Sequence, residues 1–358
     1  MFARLRGHLH RADVVFGQLE CPLSARGAPM PHVRLAMRSD PAVAPSMRRA
    51  GFDVVSVAGN HCMDWGTDAL SDTLRCVSEA GILTCGAGAT IEQARQPATI
   101  SVNGLLMGFL AYSSILPQGY WAEAHNPGCA PMRAHTLYEQ IETDQPGTPA
   151  RVHTYAHRED LEALCRDVRD AKRRHRVVIV SMHWGIHFVP ATIADYQKQV
   201  AYAAIDAGAD AVLGHHPHIL KGIEIYHGRP IFYSLGNFAI EQPSAFMENL
   251  TRSSGFREIA ALNSDFDTRR AYMPPKDTQR SVIAKLIFND GEIAQTRFMP
   301  VIVNDRSEPA VLTRTDVDFE RIVNYVAEIS ASQSLNTCLT AEGDEVIVQP
   351  QPDTLSPA

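Results

Sequence analysis

A chain of 358 residues, 45% hydrophobic and 20% charged with a formal net charge of −7, is large enough to bury a sizeable core and ordinary in polarity. The acidic balance argues against nucleic acid and anionic membrane surfaces as main partners. No stretch approaches the roughly 20 apolar residues of a membrane span, and seven scattered cysteines without a CxxC pair argue against a disulfide framework.

Residues 1–11 hold Arg4, Arg6, Arg11, His8 and His10 but no apolar signal region, so a cytoplasmic location is expected, open if further chain precedes Met1. Ala12–Phe16 reads as a strand running into Gly17-Gln18-Leu19-Glu20, which puts a carboxylate past a strand end. A short helix is expected over Asp40–Ala50. Phe52–Ala58 reads as a strand that stops at Gly59-Asn60-His61. Leu70, Leu74 and Val77 share one face of a helix over Thr67–Ala80 that Gly81 ends. Gly86-Ala87-Gly88 lacks the third glycine of a dinucleotide fingerprint and is read as a turn. Asn103-Gly104 joins Ala98–Val102 to Leu105–Tyr112 as a hairpin. The proline-rich stretch 113–157 reads either as a segment covering the substrate or as a surface excursion. Arg158–His175 reads as a helix.

The region 176–238 organises the rest. Val177–Met182 is an apolar run ending at His183-Trp184-Gly185, and a second strand from Asp210 ends in Gly214-His215-His216-Pro217-His218. Pro230–Ser234 is a third, ending in Leu235-Gly236-Asn237-Phe238. Continuous apolar runs of this kind are buried strands of a parallel sheet, and ligands gather past the carboxyl ends of such strands. In His216-Pro217-His218 the proline restricts the intervening backbone, so that two imidazoles are available to one metal. Beyond lie an unassigned stretch 240–280, a hairpin over Val282–Phe288 and Ile293–Phe298, and a helix over Phe319–Ile329.

The polar tips Glu20, Asn60, His61, His183, His216 and His218 combine carboxylate, amide and imidazole, a donor set suited to Mn, Fe or Zn. Their order resembles the calcineurin-like metallophosphoesterases. The match is closer to the CapA family, named for a poly-γ-glutamate capsule synthesis protein. It rests on Ala12 to Glu20, Gly59-Asn60-His61 through Asp64-Trp65-Gly66, His183-Trp184-Gly185, Ala207-Gly208-Ala209-Asp210, Gly214 to His218, and Tyr233 to Phe238. The resemblance implies metal ligands at Glu20, Asn60, His183, His216 and His218, and a general acid at His61. Asp64 either orients that imidazole or caps the following helix. His187, His215 and Asn237 are weaker candidates for substrate contact. Three departures stand out: no Gly-Asp motif precedes Glu20, so either the N-terminus is incomplete or half of a two-metal site is lost; Gln18 replaces an Asn; and His187 stands where a Glu is usual.

The resemblance further implies an α/β fold, a four-layer α/β/β/α sandwich of metallophosphoesterase type. The domain should span 1–303 with variable stretches at 113–157 and 240–280, followed by a helical extension over 304–348 and a disordered tail over 349–358. One divalent ion should bind tightly and a second weakly. The expected activity is metal-assisted attack on a phosphoryl or acyl/γ-glutamyl centre; the alternative is a biosynthetic role that binds or joins acyl and amino partners without phosphoester hydrolysis. The partner is then a small-molecule, γ-glutamyl or phosphoester substrate. Oligomeric state leaves no trace in the sequence.

Overall fold

The computed structural model describes residues 2, 4–31, 33, 35–240, 256–263 and 275–352. It is a mixed α/β protein with several sheets. The first is parallel and three-stranded, made of β1 (Phe16–Gln18), β2 (Val54–Ser56) and β3 (Leu83–Cys85), with helices Val43–Ala50 and Gly66–Glu79 in the crossovers. Gly51, at φ +116°, closes the first of these helices in a conformation that a side chain would oppose. β1 lies later than the expected Ala12–Phe16. Val15 still bonds the Asp53 carboxylate and the Asp53 and Val54 amides, so ladder pairing with β2 begins only at Phe16.

The dipeptide β4 (Ala87–Gly88), read as a turn, instead pairs with β7 (Gly128–Cys129). β5 (Ala98–Val102) and β6 (Leu105–Ser113) form the expected hairpin. The stretch 113–157, read as irregular, contains a second one, β8 (Ala134–Gln140) with β9 (Ala150–Ala156). Its side chains are exposed on both faces, so the in-and-out alternation that betrays a strand is missing.

β10 (Val177–His183) pairs in parallel with β6 and with β11 (Ala211–His215). β12 (Ile223–Tyr226) and β13 (Arg229–Phe232) complete a six-stranded sheet in the order β12-β13-β11-β10-β6-β5. Alternate residues of its central strands serve two cores. Phe109, Val177, Ile179, Ala211, Leu213 and Phe232 meet Val54 and Val55 of the first sheet. Leu110, Val178, Val180, Met182, Val212 and Ile231 pack with Leu164 and Val168 of helix Arg158–Lys172 and Val200 and Ala204 of helix Asp195–Asp206. Burying each large aliphatic side chain contributes about 1.5–3 kcal/mol, which is why β10 is apolar all round.

β14 (Arg280–Asn289) and β15 (Glu292–Val303) form the last expected hairpin. The segment 304–348 holds helix Val317–Ser332, but also β16 (Pro309–Val311), β17 (Cys338–Glu342) and β18 (Glu345–Gln349), all in the sheet of β14 and β15. It is therefore more than a helical extension, because β18 pairs directly with β15. Gln349, assigned to the tail, closes β18, and residues 353–358 lie outside the described residues. Within 240–280, helix Phe256–Ala261 and a short 3-10 turn Lys276–Gln279 are described, while 241–255 and 264–274 lie outside.

Candidate functional site

Parallel pairing aligns the strand ends. His183 closes β10 opposite His215 of β11, and Glu20 and Asn60 follow β1 and β2. Trp184, fully buried, donates from Nε1 to the Tyr233 carbonyl (3.0 Å) and ties the end of β10 to the end of β13. Gly214 permits that contact, since a Cβ there would sit 2.1 Å from the Tyr233 carbonyl oxygen.

The polar tips resolve into two neighbouring groups. In the first, His183 Nε2 lies 2.6 Å from Asn60 Oδ1 and 3.2 Å from His216 Nδ1. In the second, His218 Nδ1 lies 2.8 Å from Asn237 Oδ1, and its Nε2 is 3.4 Å from Glu20 Oε1. The rings of His216 and His218 are 6.3 Å apart, and the two imidazoles take different hydrogen-bond partners, His183 and Asn237. Both histidines take positive φ, +97° and +60°. Strain of this kind, on the order of 1–3 kcal/mol per residue, concentrates at functional sites.

Beside them, His61 Nδ1 is 2.7 Å from Asp64 Oδ2. Asp64 is 1% exposed and also accepts from the Met37 amide (2.7 Å) and from the Tyr120 hydroxyl (2.8 Å). Asp64 bonds the His61 ring, and the N-cap position of the following helix belongs to Trp65.

Burial pushes His183 down to about 3, against the opposing pull of Glu20, and pushes His187 to about 3 and His215 to about 4. His216 is likewise well below its ordinary value, first through burial and then through neighbouring imidazoles. His218 goes the other way: burial lowers it, but Glu20 and Asn237 outweigh that and raise it. For Glu20, burial on its own raises the carboxyl, and His218 more than reverses this, holding it well below the usual carboxylate range.

His187 stacks on His216 with centroids 3.8 Å apart, and Phe188 stacks on His218 at 5.6 Å. The His215 ring lies 6.3 Å from that of Phe16. Two positions escaped sequence reasoning. Tyr120 meets Asp64 across 56 residues of chain, a separation that no local pattern encodes. Lys221 is 1% exposed and donates to the carbonyls of Val189 and Thr192, anchoring the loop that carries His187 and Phe188. Its only sequence signal was a single charge inside the apolar run Ile219-Leu220-Lys221-Gly222-Ile223.

The donor chemistry fits a divalent cation. Unprotonated imidazoles offer lone pairs, and His183 Nδ1, His187 Nε2, His215 Nε2 and Gln18 Oε1 are buried without a hydrogen-bond partner. Among the described residues no three His, Cys, Asp or Glu side chains form a metal-holding group by themselves. The convergent trio here takes its third donor from an amide, Asn60.

Residues 1–242 match the model of a family described as bacterial capsule synthesis protein PGA_cap. The chain is 29% identical over 233 residues to the PGA biosynthesis protein CapA of Bacillus subtilis, covering 64% of this chain and 54% of that protein. It is 26% identical over 306 residues to the capsule biosynthesis protein CapA of Bacillus anthracis, covering 79% and 68%. A Mycobacterium tuberculosis protein named as a probable polyglutamine synthesis accessory protein is 32% identical over 229 residues, covering 63% and 55%. The chain thus spans about half the length of the Bacillus subtilis and Mycobacterium tuberculosis relatives.

Proposed function

The chain belongs to the bacterial capsule synthesis family PGA_cap, of the metallophosphoesterase-like superfamily, and from that premise we propose that it is a metal-dependent enzyme acting on a phosphoryl or γ-glutamyl acyl centre. The proposal includes the four-layer sandwich expected of that superfamily. The observation that carries it is the convergence of Asn60 Oδ1, His183 Nε2 and His216 Nδ1 next to the His61–Asp64 pair.

Asn60, His183 and His216 would hold one divalent Mn, Fe or Zn ion, with Glu20 and His218 adjacent. Such an ion supplies Lewis acidity toward a phosphoryl or carbonyl oxygen. The remaining work falls to the protein. Asp64, fixed by Tyr120 and the Met37 amide, accepts a hydrogen bond from His61 Nδ1–H and so leaves Nε2 as the nitrogen turned to substrate. As a water oxygen bonds to the phosphorus or acyl carbon and the bond to the leaving oxygen or nitrogen breaks, His61 gives its Nε2 proton to the leaving atom, and the proton shed by the water restores His61.

A second reading, in which the chain binds or joins acyl and amino partners without phosphoester hydrolysis, is favoured by the word accessory in the Mycobacterium tuberculosis relative's name. One set of measurements separates the two. Metal analysis of protein purified without chelator should give one tight equivalent in the wild type and none in His216→Ala. Hydrolysis of an alkyl phosphodiester or a γ-glutamyl anilide, whose leaving atoms need a proton, should fall about 10²–10⁴-fold in His61→Ala while metal content holds. Turnover that survives His61→Ala would remove the proton-donor role. A wild type that stays empty after metal is added back would favour the binding reading.

A further inference from the structure

The hairpin of β8 and β9 supplies none of the polar tips of the site, and its surface is unusual for a water-facing element. Five of the nine exposed large hydrophobic side chains among the described residues are on it: Leu137, Tyr138, Ile141, Val152 and Tyr155, with Tyr138 70% and Leu137 54% exposed. An isolated two-stranded hairpin is marginally stable in water, and an uncovered edge strand is a template for another strand.

The two edges differ. On β9 the outward amides of Thr154 and Ala156 are taken by Asp195 Oδ2 (3.1 Å) and Gln199 Oε1 (2.9 Å) of helix Asp195–Asp206. Thr154 faces Thr136, and Val152 faces Tyr138, so antiparallel alternation turns the main-chain groups of Thr136 and Tyr138 outward on β8. Among the described residues nothing pairs with that edge, and β8 has no strand neighbour but β9.

We propose that the β8 edge pairs with the same edge of a second copy of this chain, antiparallel about a two-fold axis at Leu137. In that register Thr136 exchanges main-chain bonds with Tyr138 of the second copy, and Leu137 meets Leu137. His135, whose ring lies 5.2 Å from that of His157, falls opposite Glu139 of the second copy on the same face, twice by symmetry, and there joins Arg151 and His153, each 2.9 Å from Glu139 Oε2 within its own hairpin. A strand that carries a base two residues before its centre and an acid two residues after it is complementary to itself. Moving the axis by one residue sets Leu137 against His135 or Glu139 and loses that match. A single seven-residue edge falls short of the roughly 1,000 Å² of a stable interface, so this dimer depends on concentration. It is independent of whether the histidine site holds metal.

The test is sedimentation equilibrium on the full chain from about 1 μM to about 500 μM. The wild type should shift from monomer to dimer across that range. Thr136→Pro removes an amide that β9 does not use, so it should stay monomeric with an unchanged circular dichroism spectrum. Leu137→Cys should cross-link to a covalent dimer under mild oxidation well beyond the wild-type background of its seven cysteines, and Tyr138→Cys should not. A wild type monomeric throughout, a Thr136→Pro variant that still dimerises, or equal cross-linking at 137 and 138 would each overturn the proposal.

Discussion

His216 and Lys221 show how single side chains carry costs that only a site explains. His216 sits at φ +97°, where glycine is at ease and an L-residue is not. His216→Gly should therefore be more stable than His216→Ala by about 1 kcal/mol in denaturant melts, although both lose the imidazole. Equal stabilities would mean that the turn relaxes. Lys221 is pushed down to about 7 by burial. Between that value and the ordinary lysine value near 10.5, the unfolded chain holds a proton that the folded chain has released, so this group's contribution to stability rises with pH across the window. Below pH 7 the cost of burying the charge is fully present. Lys221→Met should accordingly look more destabilising at pH 9 than at pH 6, by on the order of 2 kcal/mol, in urea unfolding at both pH values. A pH-independent difference would show that the amine is protonated throughout. Glu20, Asn60, His61 and the three strand-end histidines were readable as candidates because each follows an apolar run or a Gly-Asn-His motif. Tyr120 and Lys221 were not, since their partners are 56 residues away and main-chain carbonyls respectively.

At the scale of elements, buried strands and amphipathic helices were legible, and exposed or short ones were not. β10 and helix Arg158–Lys172 follow from a continuous apolar run and a 3.6-residue period. β8 and β9 carry apolar side chains on both faces, a pattern that no buried surface imposes. The two-residue strands β4 and β7 exist only because each finds the other 40 residues away. The C-terminal hairpin was passed over for a similar reason, yet Val346 and Val348 are buried against Phe298 in the core. Truncation after Ser334 should therefore cost several kcal/mol, roughly 1.5–3 for each buried valine, and lower the thermal midpoint of the whole protein. An unchanged midpoint would make 335–352 an independent appendage.

For the whole molecule, the site draws on β1, β2, β10, β11 and the turn after β13, so an ion bound there would tie together two sheets whose apolar faces share one core. Binding to the folded state alone stabilises it by mass action, about 2.7 kcal/mol at a hundredfold excess over the dissociation constant. Adding Mn or Zn to stripped protein should raise the thermal midpoint, and Asn60→Ala should abolish the rise; a midpoint indifferent to metal would count against the proposed centre. By itself the sequence determined the α/β class, the buried strands, the family resemblance and the set of polar tips, because hydrophobic period and local motifs are written in neighbouring residues. Only the tertiary structure decided that His216 meets His183 while His218 meets Asn237, that Asp64 is braced by Tyr120, and that Lys221 anchors the loop over the histidines. Those outcomes depend on strand register and on backbone groups meeting across long stretches of chain, where the free energy of a contact belongs to the pair and not to either residue's neighbourhood.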